Sequence, residues 1–518
     1  MNRIRWLALL LAGLLLATLL GGCSRKQDPT PGSGATGTEQ PSTAEPVTGG
    51  TRPATEADAP AAGLPDVGSL PDVGGGAEPA AVPQAYVVQA GDTLSSIAAR
   101  FGCTLEDLVQ ANQLLDPDTL QVGQQIQIPA TSTGMGPATR LLPNSEFVNG
   151  PDYVNFDVGG FCARQGGYLS TYQEYVDGQM LSGPEIVELV AHHYSVGPRL
   201  LLAILELESG WVTDPDPAGQ ALYAPLGYRG GGWDTLSGQL AWAANTLNAG
   251  YYNWRGRGMP LEFWEDGTAT RYAPTLNAAT AGLQYFLAQK TYQSDWLVLV
   301  GDGPGSFLYT YRQLFGDPAQ YAIEPLIPAG TESPTLSLPW SEGELWYYTG
   351  GPHGGWDFST SGGSAWAAID AVPDEGFLGC QAASAWATAA APGLVIHSQD
   401  GEVMVDLDGD GYEQTGWVLF YLHVASEGRV PVGTWVEEGD PLGHPSCEGG
   451  FSESTHLHFA RKYNGEWIAA DGPLPLILSG WQFYSSGSAY DGTATRGGEV
   501  RTACECRDPA FNGLVAGR

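Results

Sequence analysis

The sequence predicts a multidomain protein with a small βααβ module, a mostly α-helical domain and an antiparallel β-rich domain. The chain has 518 residues, which is long for one domain. Helical periodicity and many Trp and Tyr residues characterise residues 136–328. The periodicity is long over residues 183–209, and further helices are expected over residues 241–247 and 278–288. Short apolar runs separated by glycine, typical of strands and turns, follow from about residue 330. Pro328-Ala329-Gly330 lies at the boundary between the helical pattern and the strand-and-turn pattern.

The first 23 residues have the layout of a secretory signal. Arg3 and Arg5 form a short basic region, and residues 6–20 are an almost unbroken apolar run. An uncleaved single-span anchor is the alternative, but the run is short for crossing a bilayer. The segment Leu20-Gly21-Gly22-Cys23 resembles the lipobox of bacterial lipoproteins. The resemblance implies that Cys23 is lipidated and holds the mature protein on a bacterial membrane, in the cell envelope outside the cytoplasm.

Residues 24–84 predict a disordered tether. They consist mainly of Pro, Gly, Ala, Thr and acidic residues, and Leu-Pro-Asp-Val-Gly occurs twice, from Leu64 and from Leu70. Such a stretch cannot bury enough apolar surface to offset the entropy lost on ordering. As a flexible coil it would span roughly 40–50 Å. That reach suits a protein that must act away from the membrane surface.

Charge and cysteine content restrict the partners and the compartment. The net charge of -35 makes nucleic acid a poor partner, because such binding needs Lys and Arg to neutralise phosphates. An exported protein can form disulfides among the six cysteines other than Cys23. Cys380 and Cys447 are the preferred pair because both fall in one domain. Cys504 and Cys506 could form a local element or two separate half-bridges.

Residues 85–130 predict two helices between two strands. Tyr86-Val87-Val88 and residues 125–129 are typical of strands, and residues 94–101 and 105–112 of helices. The segment resembles the LysM module along its whole length. The resemblance implies binding to glycans that contain N-acetylglucosamine, and therefore to peptidoglycan. A small structural domain without a ligand is the alternative, because a fold resemblance does not prove a site.

Three motifs that contain histidine lie in the last domain, residues 331–518. They are Gly351-Pro352-His353-Gly354-Gly355-Trp356-Asp357, Tyr421-Leu422-His423 and Thr455-His456-Leu457-His458-Phe459. The third motif alternates as a strand does, so its two histidines should point to one face, roughly 7 Å apart. A catalytic zinc ion usually has three protein ligands and one open position for water. Two histidines and one carboxylate could fill those places, and the remaining histidines could transfer protons or stabilise an oxyanion.

The order His-x-x-x-Asp, Tyr-x-His and His-x-His resembles the lysostaphin/LytM-type zinc endopeptidases, over about residues 338–483. That family cleaves peptide cross-links in peptidoglycan. The chain departs from the family in a long insertion between Asp357 and Gly393, which could cover the metal, and in an extension past Gly480. The resemblance implies Zn²⁺ bound by His353, Asp357 and His458, with His423 and His456 as catalytic residues.

Two other functions remain open. A non-catalytic scaffold could bind peptidoglycan and recruit or activate other wall hydrolases, as family members without zinc ligands do, although all five motif residues are intact here. An endopeptidase aimed at proteins, like a bacteriocin, ranks last because a lipid signal argues against release. The other histidines match no motif and are interpreted as ordinary residues: His192, His193, His397 and His444.

Glu208 is a second candidate catalytic residue. It lies at the end of the apolar helical stretch that is predicted within residues 183–209, and Gly210 is well placed to end that helix. A carboxyl group beside apolar side chains and the negative end of a helix dipole favours the protonated form that glycosidic cleavage needs. The segment resembles the lysozyme-like lytic transglycosylases, which implies glycan-strand cleavage by Glu208. The family's Gly-Leu-Met-Gln motif has no clear counterpart, so a structural helix end in a glycan-holding domain is the alternative.

Two further groups allow alternative interpretations. Asp406, Asp408 and Asp410 resemble the first half of a calcium loop, but Trp417 stands where such a loop wants a bidentate Glu. We therefore favour an acidic hairpin tip over a Ca²⁺ site. The aromatic residues of the helical domain could line a sugar groove or belong to the core: Tyr251, Tyr252 and Trp254.

Overall fold

The computed structural model describes most of the chain after residue 83. The described residues are 84–88, 92–101, 103, 105–112, 120, 123–128, 134–228, 234–256, 262–264, 269–289, 291–356, 365–376 and 378–517. The predicted signal with Cys23, residues 24–83 of the predicted tether and Asp357 lie outside them. None of the helices formed by the described residues is both long and apolar enough to span a membrane.

The N-terminal module has the predicted βααβ order. Its strands pair antiparallel, with Val87 opposite Gln125. The helices pack on this pair through buried apolar side chains that include Ile97, Leu108 and Ile126. The elements are β1 (Gln84–Val87), α1 (Leu94–Phe101), α2 (Leu105–Asn112) and β2 (Gln125–Ile128).

A mostly helical domain follows, as predicted. Short strands accompany its helices: β3 (Gly134–Met135), β4 (Gln173–Val176), β5 (Gln179–Ser182), β6 (Glu262–Phe263) and β7 (Ala269–Arg271). The helices are α3 (Asn144–Phe147), α4 (Val158–Gln165), α5 (Gly183–Tyr194), α6 (Pro198–Ser209), α7 (Leu236–Gly256), α8 (Ala278–Ala288), α9 (Gln293–Leu299) and α10 (Phe307–Phe315).

The periodic stretch 183–209 forms two helices. Ser182 and Glu185 make a capping box at the start of α5, in which Ser182 N–H donates to Glu185 Oε2 at 2.7 Å. Helix α5 stops at Ser195, whose φ of 53° lies in the left-handed region. Pro198 then begins α6, where its missing N–H costs no helical hydrogen bond. This break places His192 and His193 in the last turn of α5.

The last domain is built from antiparallel strands, as predicted. Its main sheet has the order β14-β11-β12-β13-β16-β9-β8-β22, and β17 pairs with β16 outside that path. A second sheet has the order β18-β19-β20-β21. The strands are β8 (Leu345–His353), β9 (Ala368–Pro373), β10 (Ala387–Thr388), β11 (Gly393–Gln399), β12 (Glu402–Asp406), β13 (Trp417–Leu422), β14 (Trp435–Val436), β15 (Pro441–Gly443), β16 (Leu457–Tyr463), β17 (Glu466–Trp467), β18 (Ile477–Leu478), β19 (Trp481–Ser485), β20 (Gly492–Arg496), β21 (Glu499–Thr502) and β22 (Gly513–Val515).

The two faces of the main sheet enter different cores. Alternate residues such as Leu419 and Tyr421 pack in a core formed by the β-rich domain. The residues between them, including Phe420, share a core with helical-domain residues such as Val190 and Tyr252. Alternation along a strand sends neighbouring side chains to opposite faces. The helical domain therefore packs on one face of the main sheet.

Two disulfides are present in the β-rich domain. Cys380 bonds to Cys447, which confirms the preferred pair, and Cys504 bonds to Cys506. The first bond joins the insertion between Asp357 and Gly393 to the loop before β16. Thr455 N–H also donates to Gly379 O at 2.6 Å. The insertion is thus fixed beside the His-x-His motif.

Candidate active site

Three side chains from adjacent strands converge at one end of the main sheet. His353 ends β8, and Asp370 on β9 pairs with His458 on β16. His353 Nε2 lies 3.0 Å from His458 Nδ1. Asp370 Oδ1 lies 3.4 Å from the former nitrogen and 3.2 Å from the latter. All three residues are buried, and Gly350 opposite Asp370 is needed because a Cβ there would clash with the carboxylate.

Backbone carbonyl groups fix the orientation of both imidazoles. His353 Nδ1 lies 2.8 Å from Gly351 O, and His458 Nε2 lies 2.8 Å from Gly355 O. A neutral imidazole has one N–H, and each carbonyl can only accept it. The lone pairs of His353 Nε2 and His458 Nδ1 therefore face each other and Asp370.

This arrangement fits a divalent metal ion. Two facing lone pairs and a carboxylate repel each other unless a cation lies between them. Asp370 Oδ1 is buried and has no hydrogen-bond partner. Burial raises the pKa of Asp370, but the nearby charges of His353 and His456 outweigh it and hold the pKa well below its ordinary value. Burial also lowers the pKa of His458, which favours the neutral form that binds metal. Two nitrogens and one carboxylate oxygen match a catalytic zinc site.

The other two predicted histidines lie beside this centre. The rings of His423 and His456 are 4.4 Å apart between centroids. His423 Nδ1 lies 3.1 Å from Glu448 O, and His456 Nδ1 lies 2.8 Å from Ser454 O. Both Nε2 atoms are therefore left as proton acceptors. His456 Nε2 is 3.7 Å from Asp370 Oδ1, so it lies next to the metal position.

His423 has an unusual backbone conformation, and the pKa of its side chain is strongly lowered. Its φ of 66° lies in the left-handed region, which non-glycine residues rarely adopt and which occurs often at functional sites. Burial and the neighbouring His456 and His458 lower the pKa of His423 to about 3. The imidazole is consequently neutral at neutral pH.

Asp370 was missed in the sequence, where Asp357 was assigned as the carboxylate ligand. Asp357 lies outside the described residues, and Asp370 is the carboxylate that the structure brings to the two histidines. Asp370 belongs to the insertion that was expected only to cover the metal. Its signal was available, because it is a lone carboxylate in the apolar strand Ala368–Pro373, all of which is buried. Buried, unpaired carboxylates are rare without a functional role.

Both flanking regions of the chain contribute to the walls of the site. The ring of Tyr490, from the C-terminal extension, stacks on His353 at 4.2 Å between centroids. On another side, His193 of helix α5 stacks on Trp356 at 3.9 Å. Trp356 follows His353 by three residues. The helical domain therefore reaches the edge of the metal centre.

Glu208 lies in the helical domain, near the end of α6, and is half-buried. Gly210 ends this helix with a φ of 71°, as predicted. Glu206 has a structural role, because its Oε2 accepts from Val212 N–H and Thr213 N–H, both at 3.1 Å. A catalytic role for Glu208 stays a prediction.

The structure describes two groups whose roles the sequence left open, the aromatic residues of the helical domain and the acidic residues of the β12–β13 loop. Tyr251 and Tyr252 are buried in the core rather than in an open groove. Tyr252 Oη accepts from Trp467 N–H at 3.1 Å, so it joins the two domains. In the β12–β13 loop, Asp406 Oδ2 accepts from Gly411 N–H at 2.8 Å and Asp410 Oδ1 from Tyr412 N–H at 2.9 Å. The three aspartates also lie close enough together to hold a cation, and a Ca²⁺ site at Asp406, Asp408 and Asp410 stays a prediction.

Comparisons with known families divide the chain in a similar way. Residues 86–129 match the LysM domain family, which confirms the predicted LysM module. Residues 140–329 match the family described as LasA, N-terminal domain. The second match covers the helical domain. It does not support the lysozyme-like assignment, which stays a prediction.

Several of the individual relatives are proteases or peptidases by name. Protease LasA of Pseudomonas aeruginosa strain UCBPP-PA14 is 27% identical over 359 residues, which cover 65% of this chain and 77% of that protein. The structure of the M23 metalloprotease pseudoalterin, from the deep sea, is 25% identical, with 33% of this chain and 95% of that chain covered and a TM-score of 0.27. The catalytic domain of lysostaphin from Staphylococcus simulans is 21% identical, with 23% and 81% covered and a TM-score of 0.17. TM-scores this low carry no argument about the fold.

Proposed function

We propose that this protein is a zinc-dependent endopeptidase that cleaves peptide bonds in peptidoglycan. The observation that carries the proposal is the convergence of His353 Nε2, Asp370 Oδ1 and His458 Nδ1, with the rings of His423 and His456 alongside. The similarity to protease LasA over 359 residues supports a peptidase. The LysM domain supports peptidoglycan as the substrate, because a glycan-binding module would hold the enzyme on the wall.

The ligand set proposed for zinc is His353, Asp370 and His458. Bound zinc would acidify a water molecule and polarise the scissile carbonyl group. His456 Nε2, next to the metal position, accepts the proton of the attacking water and passes it to the departing amine. His423 Nε2, on the ring next to His456, is an acceptor and stabilises His456 once that ring carries the proton. The carbonyl groups of Glu448 and Ser454 hold both rings in place.

Delivery to the wall is part of the same proposal. A lipid on Cys23 would hold the chain on a bacterial membrane, and residues 24–84 would act as the tether. The LysM domain would then bind glycan within reach of that tether. This arrangement would keep the peptidase in the envelope and limit it to nearby wall material.

The helical domain is proposed to restrain access to the peptidase site. It packs on the face of the sheet that carries His458, and it stacks His193 against Trp356 at the edge of the centre. A wall hydrolase needs restraint, because uncontrolled cleavage would lyse its host. Glycan-strand cleavage by Glu208 is the rival role for this domain.

Mass spectrometry of the fragments released from purified peptidoglycan tests the function. The protein, without residues 1–23 and with zinc added, is compared with His458→Ala and Glu208→Gln variants. Loss of cross-linked fragments that is abolished only by His458→Ala supports the endopeptidase and makes the helical domain non-catalytic. Anhydro-sugar ends that vanish with Glu208→Gln would show a second activity. No release from walls of several chemotypes would favour the scaffold that recruits other hydrolases.

A further inference from the structure

A second cluster of histidines and carboxylates lies between the helical domain and the main sheet. His192 Nε2 is 2.9 Å from Glu402 Oε2, and His193 Nε2 is 2.9 Å from Glu402 Oε1. The histidines come from the last turn of α5, and Glu402 begins β12. Glu402 is fully buried, and one donor atom from each of the three residues lies within 4.8 Å of the others.

The hydrogen bond between His192 Nε2 and Glu402 Oε2, at 2.9 Å, satisfies only one of the two carboxylate oxygens of Glu402. Its Oε1 has no hydrogen-bond partner, although His193 Nε2 is only 2.9 Å away, so the N–H direction does not suit a hydrogen bond. Asp370 Oδ1 in the candidate active site shows the same combination of buried oxygen, close imidazole nitrogens and no hydrogen bond. A buried carboxylate oxygen left in this state is costly unless a cation binds it.

The surroundings of His192 resemble the outer support of a metal site. His192 Nδ1 lies 2.9 Å from Glu413 Oε1, which leaves Nε2 to face Glu402. Metal-binding histidines usually donate their other N–H to a carboxylate or carbonyl group in this way. Glu413 is itself held by Lys462 Nζ at 3.3 Å and by Asn149 Nδ2 at 3.2 Å.

We infer that His192, His193 and Glu402 form a second binding site for a divalent transition metal, zinc above all, which joins the helical domain to the β-rich domain. Two imidazoles and a carboxylate are the ligands that zinc prefers. His397 Nε2, 3.6 Å from Glu402 Oε2, is placed to serve as a fourth ligand or to support the carboxylate.

The second site is distinct from the candidate active site. The two ligand sets share no residue, and Glu402 on β12 is separated from His458 on β16 by strand β13. Two strand spacings correspond to roughly 10 Å. Because its ligands come from two domains, a metal bound there would hold α5 against the sheet. Metal removal would loosen that contact.

Metal content of the full-length chain tests the inference. After equilibration with zinc and removal of free ions, we expect about two zinc ions per chain in the wild type and about one in His458→Ala, in line with two closed ligand sets. Glu402→Gln, which keeps the side-chain shape, should also retain about one, and the double variant about none. His444→Ala is the control, because His444, whose Nδ1 lies 2.9 Å from Ala385 O and whose ring packs on Trp386, belongs to neither cluster; it should bind as the wild type does.

Cobalt spectra test the second site without any measurement of peptidase activity. In the His458→Ala background, Co²⁺ should still give the visible absorption of a site with imidazole ligands, and adding Glu402→Gln should abolish it. Circular dichroism verifies that both proteins are folded. Metal content and a spectrum that Glu402→Gln leaves unchanged would overturn the inference. Metal loss limited to Glu402→Gln would support it even if no peptidase activity were found.

Discussion

Each ring nitrogen in the candidate active site has a role set by the backbone. The carbonyl groups of Gly351 and Gly355 take the N–H of His353 and His458 and leave their other nitrogens for the metal. The carbonyl groups of Glu448 and Ser454 do the same for His423 and His456 and leave proton acceptors. In the proposed mechanism, identical side chains thereby become metal ligands in one case and proton carriers in the other.

The carboxylate ligand can be identified by a matched pair of substitutions. Asp370→Asn should lose the zinc of the candidate active site and reduce peptidase activity by roughly 10³-fold or more, because the metal-bound water is lost. Asp357→Asn should retain both. Zinc content and the rate of wall cleavage are measured on the same preparations. The opposite result, with zinc lost only in Asp357→Asn, would contradict the ligand set.

Substitution of the proposed proton-transfer residues should lower activity without the loss of zinc that is expected on substitution of a metal ligand. His423→Ala and His456→Ala should each lower kcat by about 10²–10⁴-fold, the usual range for general acid–base groups, and should keep zinc. Because the pKa of His423 is lowered to about 3, its deprotonation should not produce an acid limb between pH 5 and 7. Zinc loss in both variants would mean that these histidines hold the metal instead.

At the scale of elements, the contact between helix α5 and strands β12 and β16 determines how the domains meet. Helix α5 ends at Ser195 and so presents His192 and His193 to the sheet. Lys462 Nζ of β16 contacts His192 O at 3.1 Å and Glu413 at 3.3 Å. Lys462 and Glu413 therefore form a clamp, a set of charged contacts that holds the last turn of α5 on the sheet.

This clamp should make the metal-free protein sensitive to acid. Burial raises the pKa of Glu413, but the charges of His192 and Lys462 outweigh it and lower the pKa to about 2. Since the folded pKa lies below the ordinary 4.5, the interaction stabilises the fold above pH 4.5 and is lost as the pH falls toward 2.

Thermal unfolding of protein treated with EDTA measures this effect between pH 5 and 2. The free energy of unfolding should fall by on the order of 3 kcal/mol through this one group, since one pKa unit is worth about 1.4 kcal/mol. Glu413→Gln removes the titrating group and should show a shallower decline. Parallel declines for the two proteins would contradict the assignment.

Some helices and site residues could be predicted from the sequence, and others could not. Helix α8 spans Ala278–Ala288 as predicted, because a long periodic run with a cap at Asn277 is a local signal. The stretch 183–209 was predicted as one periodic stretch, although Gly197-Pro198 is a local signal for a break between two helices. The three histidine motifs were found because each is a short pattern. Asp370 and the cluster at His192 were missed because they form through contacts between distant segments, which strand pairing and domain packing create.

At the scale of the whole molecule, the helical domain and the peptidase sheet share one apolar core. Phe420 and Trp467 of the sheet lie in the same cluster as Val190 and Tyr252. Arg255 of α7 forms an ion pair with the buried Glu466 across this contact. The helical domain and the β-rich domain therefore pack together as one structural unit.

Weakening that contact should release the proposed restraint. Arg255→Ala leaves the buried Glu466 without its cation. The cost should fall below the roughly 3–5 kcal/mol of a fully buried pair, because the Arg255 side chain is 40% exposed. We expect peptidase activity on soluble wall peptides to rise several-fold. Arg312→Ala is the matched control, because its partner Asp317 lies within the helical domain and both are exposed. Equal activities in the wild type and both variants would argue against restraint by this domain.

The most direct test of the central claim is the release of new amino groups from purified peptidoglycan by the full-length chain, before and after zinc is restored to EDTA-treated protein. The account predicts no release from the metal-free protein, recovery on adding zinc, and no recovery with His458→Ala. Release that is independent of zinc and of His458, or the appearance of sugar reducing ends without amino groups, would contradict it.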